Sequence, residues 1–149
     1  MFKHILVPTD GSELSKIAVE KAVSFARETG ARITFFFALP EPPLPASGFG
    51  DDTRYDPERP KRFLEEAREE AKGIVNPALE LARQAGVVAD VAYIPGASPH
   101  EAIIRAAQER ECDLIFMASR GRSGLNALLL GSETHKVLNL CKIPVLVYR

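Results

Sequence analysis

Residues Asp113–Leu138 read DLIFMASRGRSGLNALLLGSETHKVL. The stretch opens on a consecutive apolar run, Leu114-Ile115-Phe116-Met117. Such a run suits a strand buried on both faces, the situation found in parallel sheets. A connection holding Gly121, Gly124 and Gly131 follows. A helical period over Ser132–Leu140 comes next, carrying His135, Val137 and Leu138, with Ser132 placed to cap it. Strand, glycine-rich turn and helix in that order is a building unit of an α/β fold.

The same alternation extends outward on both sides. Ile5-Leu6-Val7 is a short apolar run ended by Pro8, Ala31–Leu39 (ARITFFFAL) a second, Val87–Ile94 (VVADVAYI) a third, and Val145–Tyr148 (VLVY) a last. Between them, Ser12–Thr29 sets Ile17, Lys21, Phe25, Ala18 and Ala22 at helical spacing, with Ser12 as N-cap and Gly30 just past the end. Arg59–Ala85 carries Phe63, Ala67, Ala71, Ile74, Ala78, Leu81 and Ala82 on one stripe, and Pro77 predicts a kink or short break there. Ser98–Glu109 carries Ala102, Ile103, Ala106 and Ala107. Five strands alternating with four helices predict an open α/β fold, a parallel sheet with helices on both faces. Pro40–Pro60 is a long proline-rich connection, read as a lid, a linker or a variable surface loop.

The chain has 149 residues, within the roughly 100–200 expected of one domain, residues 1–149. It is 46% hydrophobic and 26% charged, an ordinary globular composition, and 19 Lys plus Arg against 20 Asp plus Glu leave a net charge of −1. That balance gives no electrostatic footprint for nucleic acid or an anionic membrane. Cys112 and Cys141 form neither a CxxC nor a zinc spacing and read as small buried hydrophobes. Only Ile5–Pro8 separates Lys3 and His4 from polar Thr9, well short of the roughly 7–15 apolar residues of a secretory leader. No run approaches the ~20 needed to cross a membrane. The expectation is a soluble, cytoplasmic protein.

In a doubly wound sheet, ligands bind beyond the carboxyl ends of the strands, where strand order reverses. The residues there are Pro8-Thr9-Asp10-Gly11-Ser12 and Ala118-Ser119-Arg120-Gly121-Arg122-Ser123-Gly124, the latter running on to Gly131-Ser132. The glycines allow close backbone approach, Arg120 and Arg122 add positive charge, and a helix start offers unpaired N–H groups. Together they suit a phosphate cradle; a plain connection ending in a capped helix fits the same residues. Asp10 suits a ribose hydroxyl or a magnesium ion, or equally a cap on the first helix. Neither GxxxxGK[ST] nor GxGxxG occurs. His4, His100 and His135 share no metal spacing, no GxSxG elbow or triad is evident, and EEAREEAK over Glu65–Lys72 reads as a solvated helix face.

The stretches HILVPTDGSELS (His4–Ser15), Asp113–Leu138 and IPVLVYR (Ile143–Arg149) resemble the universal stress protein family, along the whole chain. The resemblance implies a Rossmann-like sheet of order 3-2-1-4-5, with the loops after strands one and four side by side. One branch of the family binds ATP through G-x2-G-x9-G-[ST], read here as Ala118-x2-Gly121-x9-Gly131-Ser132, with alanine for the first glycine. Carried over, Pro8, Thr9 and Asp10 meet adenine and ribose, Ala38 and Met117 line the adenine, and Gly121, Gly131 and Ser132 hold phosphates. Arg120 and Ala118 belong to the same loop, and Asp10 would hold magnesium. Glu133 replaces a small apolar residue and is expected to point to solvent; ADP or AMP are alternatives to ATP. The implied function is an adenine-nucleotide-binding sensor or regulator of the stress response, at most a slow ATPase. Its edge strand Val145–Tyr148 would pair in a homodimer. A nucleotide-free interaction protein, as in the family's other branch, is the rival.

Overall fold

The computed structural model describes residues 1–43, 56–96, 98–121 and 130–149. The chain runs β1 (His4–Pro8), α1 (Glu13–Thr29), β2 (Arg32–Leu39), α2 (Arg59–Gln84), β3 (Ala89–Pro95), α3 (Pro99–Glu109), β4 (Leu114–Ala118), α4 (Ser132–Leu140) and β5 (Val145–Tyr148). The strands form one five-stranded sheet of order β3-β2-β1-β4-β5, and every pairing is parallel. The fold class and strand order expected above are both present. Arg122, Gly124 and residues 44–55 of the proline-rich connection lie outside the described residues.

The order follows from handedness. Right-handed crossovers step from β1 to β2 to β3 in one direction, then from β3 past β1 to β4 and β5 in the other. So α1 and α2 pack on one face, and α3 and α4 on the opposite face. The strand period of two divides the apolar runs accordingly. Ile5, Val7, Ile33, Phe35, Leu114, Phe116 and Ala118 pack under α1 and the end of α2. Leu6, Phe36, Ile115 and Met117 pack under α3 and α4 with Ala102, Ile103, Ala106 and Val137. The central strands β1 and β4 are buried on both sides; β3 and β5, at the rims, are only partly covered.

Helix ends follow local chemistry. The Ser12 hydroxyl caps α1 by accepting from Ser15 N–H at 3.3 Å, and Gly30 ends it at φ +72°, a conformation glycine adopts without strain. Of the residues read at helical spacing, Ala18 and Ala22 are buried and the row Ile17, Lys21 and Phe25 is turned away from the sheet. Ser15, Ala18, Val19, Ala22, Val23 and Ala26 face the sheet, while Ile17 is 40% exposed. Small side chains let α1 lie close to the strands, and Phe25 is left at the margin between Phe2 and Phe116.

α2 passes through Pro77 without a break. The carbonyl that Pro77 cannot bond belongs to Gly73; both residues are exposed, so solvent can reach it. Ser132 does not cap α4: Gly131 holds the N-cap position and Ser132 is the first helical residue. His135 and Leu138 face outward, and Thr134 and Val137 are the buried positions. Cys112 is buried; burial, with a smaller contribution from Asp90, pushes its thiol up to about 12, so it stays protonated at neutral pH.

Candidate functional site at the switch point

β1 lies between β2 and β4, so its end is where the chain's crossovers diverge. Thr9 is buried, and its N–H extends the sheet by donating to Phe36 O at 2.9 Å. Its hydroxyl lies 2.6 Å from Ser15 Oγ, which also accepts from Asp10 N–H at 3.2 Å. The Asp10 carboxylate then accepts Ser12 N–H through Oδ1 at 3.0 Å. This tight turn requires Gly11 at φ +78°. Asp10 thereby braces the start of α1, one of the two local roles its sequence position allowed.

Across from it, β4 ends at Ala118 and the chain passes through Ser119 and Arg120 to Gly121. Ser119 is buried and uses both backbone groups: its N–H donates to Tyr148 O at 2.7 Å and its carbonyl accepts Gly131 N–H at 2.7 Å. Thr134 Oγ donates to Ala118 O at 3.1 Å. These bonds seat the first turn of α4 on the end of β4. Gly121 touches the Asp10 carboxylate so closely that a Cβ would overlap it, and a Cβ on Gly131 would come within 3.1 Å of Arg120 Cα. Both glycines thus lie against the protein's own atoms, Gly121 against Asp10 and Gly131 against Arg120 and Ser119.

Pro8, Thr9, Asp10, Ala118, Arg120, Gly121, Gly131 and Ser132 thus come together at the carboxyl edge of β1 and β4. Ala118 ends β4 in the extended region; among the described residues only Glu111 is a non-glycine with positive φ. The methyl that replaces the pattern's first glycine costs no backbone strain. Ala38, on the neighbouring β2, pairs with Ile94 and is half-buried on the α3 face. Met117 is buried in that same core. The N-cap residue Gly131 makes no side-chain capping bond, and among the described residues the N–H groups of the first turn after it are available to a ligand.

Ser15 and Thr134 escaped the sequence reading, and Ser119 stood in the stretch after strand four without an assigned role. Of these only Ser15 carries a local signal, its three-residue spacing from the Ser12 cap. Glu133 was expected to point to solvent; its side chain is only part-exposed, because Oε2 accepts His100 N–H at 2.8 Å and lies 2.8 Å from His100 Nδ1.

An open parallel α/β sheet of order β3-β2-β1-β4-β5, with glycine-bearing turns meeting at the β1/β4 switch point, defines the class. Residues 1–149 match the Universal stress protein family, and the chain belongs to that family. It is 37% identical to the Bacillus subtilis universal stress protein YxiE over 153 residues, covering 100% of both chains. The solved structure of MJ0577, a Methanocaldococcus jannaschii universal stress protein, superposes with a TM-score of 0.82 at 28% identity, covering 99% of this chain and 95% of that one. A universal stress protein solved in complex with cAMP gives a TM-score of 0.68 at 26% identity, covering 99% of this chain and 97% of that one.

Proposed function

We propose that the protein binds an adenine nucleotide, ATP with magnesium, at the switch point, as a sensor or regulator of the stress response. The observation that carries this reading is the contact of Gly121 with Asp10 beside the uncapped start of α4 at Gly131-Ser132. Phosphates would take the free N–H groups of α4 and the Ser132 hydroxyl, with Arg120 balancing charge. Pro8, Thr9 and Ala38 would meet base and ribose, with Met117 behind them. The cAMP complex of a structural relative supports an adenine nucleotide of this general kind.

The donor set fits magnesium held mainly by phosphate oxygens. Asp10 supplies one carboxylate, and no group of three or more His, Cys, Asp or Glu gathers among the described residues. Magnesium in nucleotide sites commonly takes one or two carboxylates plus phosphates. The cation would neutralise phosphate charge; this chain's residues would hold and orient the nucleotide. Residues 1–149 act in this reading as one domain in the cytoplasm. β5, at the sheet rim, pairs through Val145–Tyr148 with a second copy. Among the described residues no helix is long and apolar enough to cross a membrane.

The test begins with protein purified without added nucleotide. It is denatured, and the released small molecules are separated by anion exchange; the emptied protein is then titrated with ATP–magnesium, ADP and AMP by calorimetry. Co-purified or titrating adenine nucleotide supports the reading. A protein that ignores all three overturns it in favour of a nucleotide-free interaction protein. Turnover above background that vanishes in Asp10→Ala would make it an ATPase.

A further inference from the structure

Glu133 stands beside Ser132 in the first turn of α4, yet its carboxylate reaches across to α3. Oε2 accepts His100 N–H at 2.8 Å and lies 2.8 Å from His100 Nδ1. Oε1 faces Lys136 Nζ at 3.4 Å, and Ser98 Oγ lies 3.0 Å from the same His100 Nδ1. α3 begins with Pro99, and Ser98 makes no capping bond with its side chain. Glu133 supplies the acceptor that the first turn of α3 lacks. Burial pushes its carboxyl up, but the bonds from the His100 ring and N–H, then from Lys136, outweigh this and hold it below the usual carboxylate range. The group that makes these bonds is the carboxylate.

The first turn of α4 is therefore held on several sides. Gly131 N–H is tied to Ser119 O, Thr134 Oγ to Ala118 O, and Glu133 to His100. Ser132, in the middle, is exposed. The anchors point inward, and the residue placed to meet a phosphate points out. Resting on the nucleotide reading above, we propose that Glu133 is a positioning residue for phosphate binding. By capping α3 at His100 it fixes where the N–H groups of α4 are aimed.

The experiment compares the wild-type chain with Glu133→Ala and Glu133→Gln by calorimetry, titrating each with ATP–magnesium and separately with adenosine, which has no phosphate. Thermal melts followed by circular dichroism establish that each variant is folded. Glu133→Ala is expected to weaken ATP by about tenfold, the scale of one charge-assisted hydrogen bond, and adenosine by no more than about twofold. Glu133→Gln keeps an oxygen for His100 N–H and is expected to recover part of the loss, and it carries the comparison if the alanine variant does not fold. An equal loss for both ligands means a merely structural role and overturns the proposal, as does unchanged ATP affinity. Wild-type protein that binds neither ligand overturns the nucleotide reading, and the phosphate role of Glu133 falls with it.

Discussion

The Asp10 carboxylate fills the space a Cβ on Gly121 would take, joining the loop after β1 to the loop after β4. Any side chain at position 121 must displace that carboxylate, which Ser12 N–H holds from the other side. Gly121→Ala is expected to cost about 1–2 kcal/mol of ATP–magnesium affinity by calorimetry. In an Asp10→Ala background the same substitution should cost under about 0.5 kcal/mol, because the group it collides with is gone. Additive losses would refute the contact as the cause.

Gly131 presents a different obstacle. Its φ is −60°, a value any residue adopts, so only space matters there. A Cβ would stand 3.1 Å from Arg120 Cα and 3.3 Å from Ser119 O, backbone atoms that cannot swing aside. Gly131→Ala is expected to destabilise the fold by about 1–3 kcal/mol in urea unfolding, by prising α4 from the end of β4.

His4 gives a pH dependence with a definite sign. Thr34 Oγ donates to Asp90 Oδ1 at 2.5 Å, so it accepts from His4 Nε2, 2.7 Å away. His4 is therefore the Nε2–H tautomer, and among the described residues its buried Nδ1 has no hydrogen-bond partner. Burial, then the Arg32 charge, lowers its pKa from 6.5, against weaker opposition from the Asp90 and Asp113 charges. Protonation favours the unfolded chain, so this stability is complete above about pH 6.5 and is lost as pH falls toward the lowered folded value, about 1.4 kcal/mol for each unit of depression. Urea midpoints from pH 8 to 5 should fall more steeply for wild type than for His4→Gln; parallel curves would exclude His4 as the source.

Glu111 lies just past α3 at φ +53°, where helices commonly place glycine. Relief of the left-handed strain, about 1–2 kcal/mol, exceeds the extra chain entropy of glycine, about 0.5–1 kcal/mol. Glu111→Gly is expected to raise the melting temperature, with a net gain of about 0.5–1 kcal/mol. A lower melting temperature would mean the Glu111 side chain contributes more than its backbone costs.

The element order was legible because consecutive apolar runs such as Leu114–Met117 and alanine-rich stripes such as Ala102–Ala107 carry distinct periods. The switch-point residues followed once the strands were placed, since glycine and Asp10 cluster just beyond two of them. What stayed hidden depends on partners far along the chain. Glu133 meets His100 from 33 residues away, and Thr34 meets Asp90 from 56; no local pattern marks either pair. Ile17 misled because a helix rich in small residues can turn more than one stripe inward, and packing distance to the sheet selects the alanines.

Ser119 has one further consequence. Its N–H belongs to the rim of the sheet, bonded to Tyr148, while its carbonyl belongs to α4, bonded to Gly131. One residue thus stands at the junction between the outermost strand and the first turn of α4. In a labelled sample its amide resonance would therefore serve as a two-way gauge for the proposed function, expected to shift if a nucleotide settles on α4 and if a second chain docks along β5.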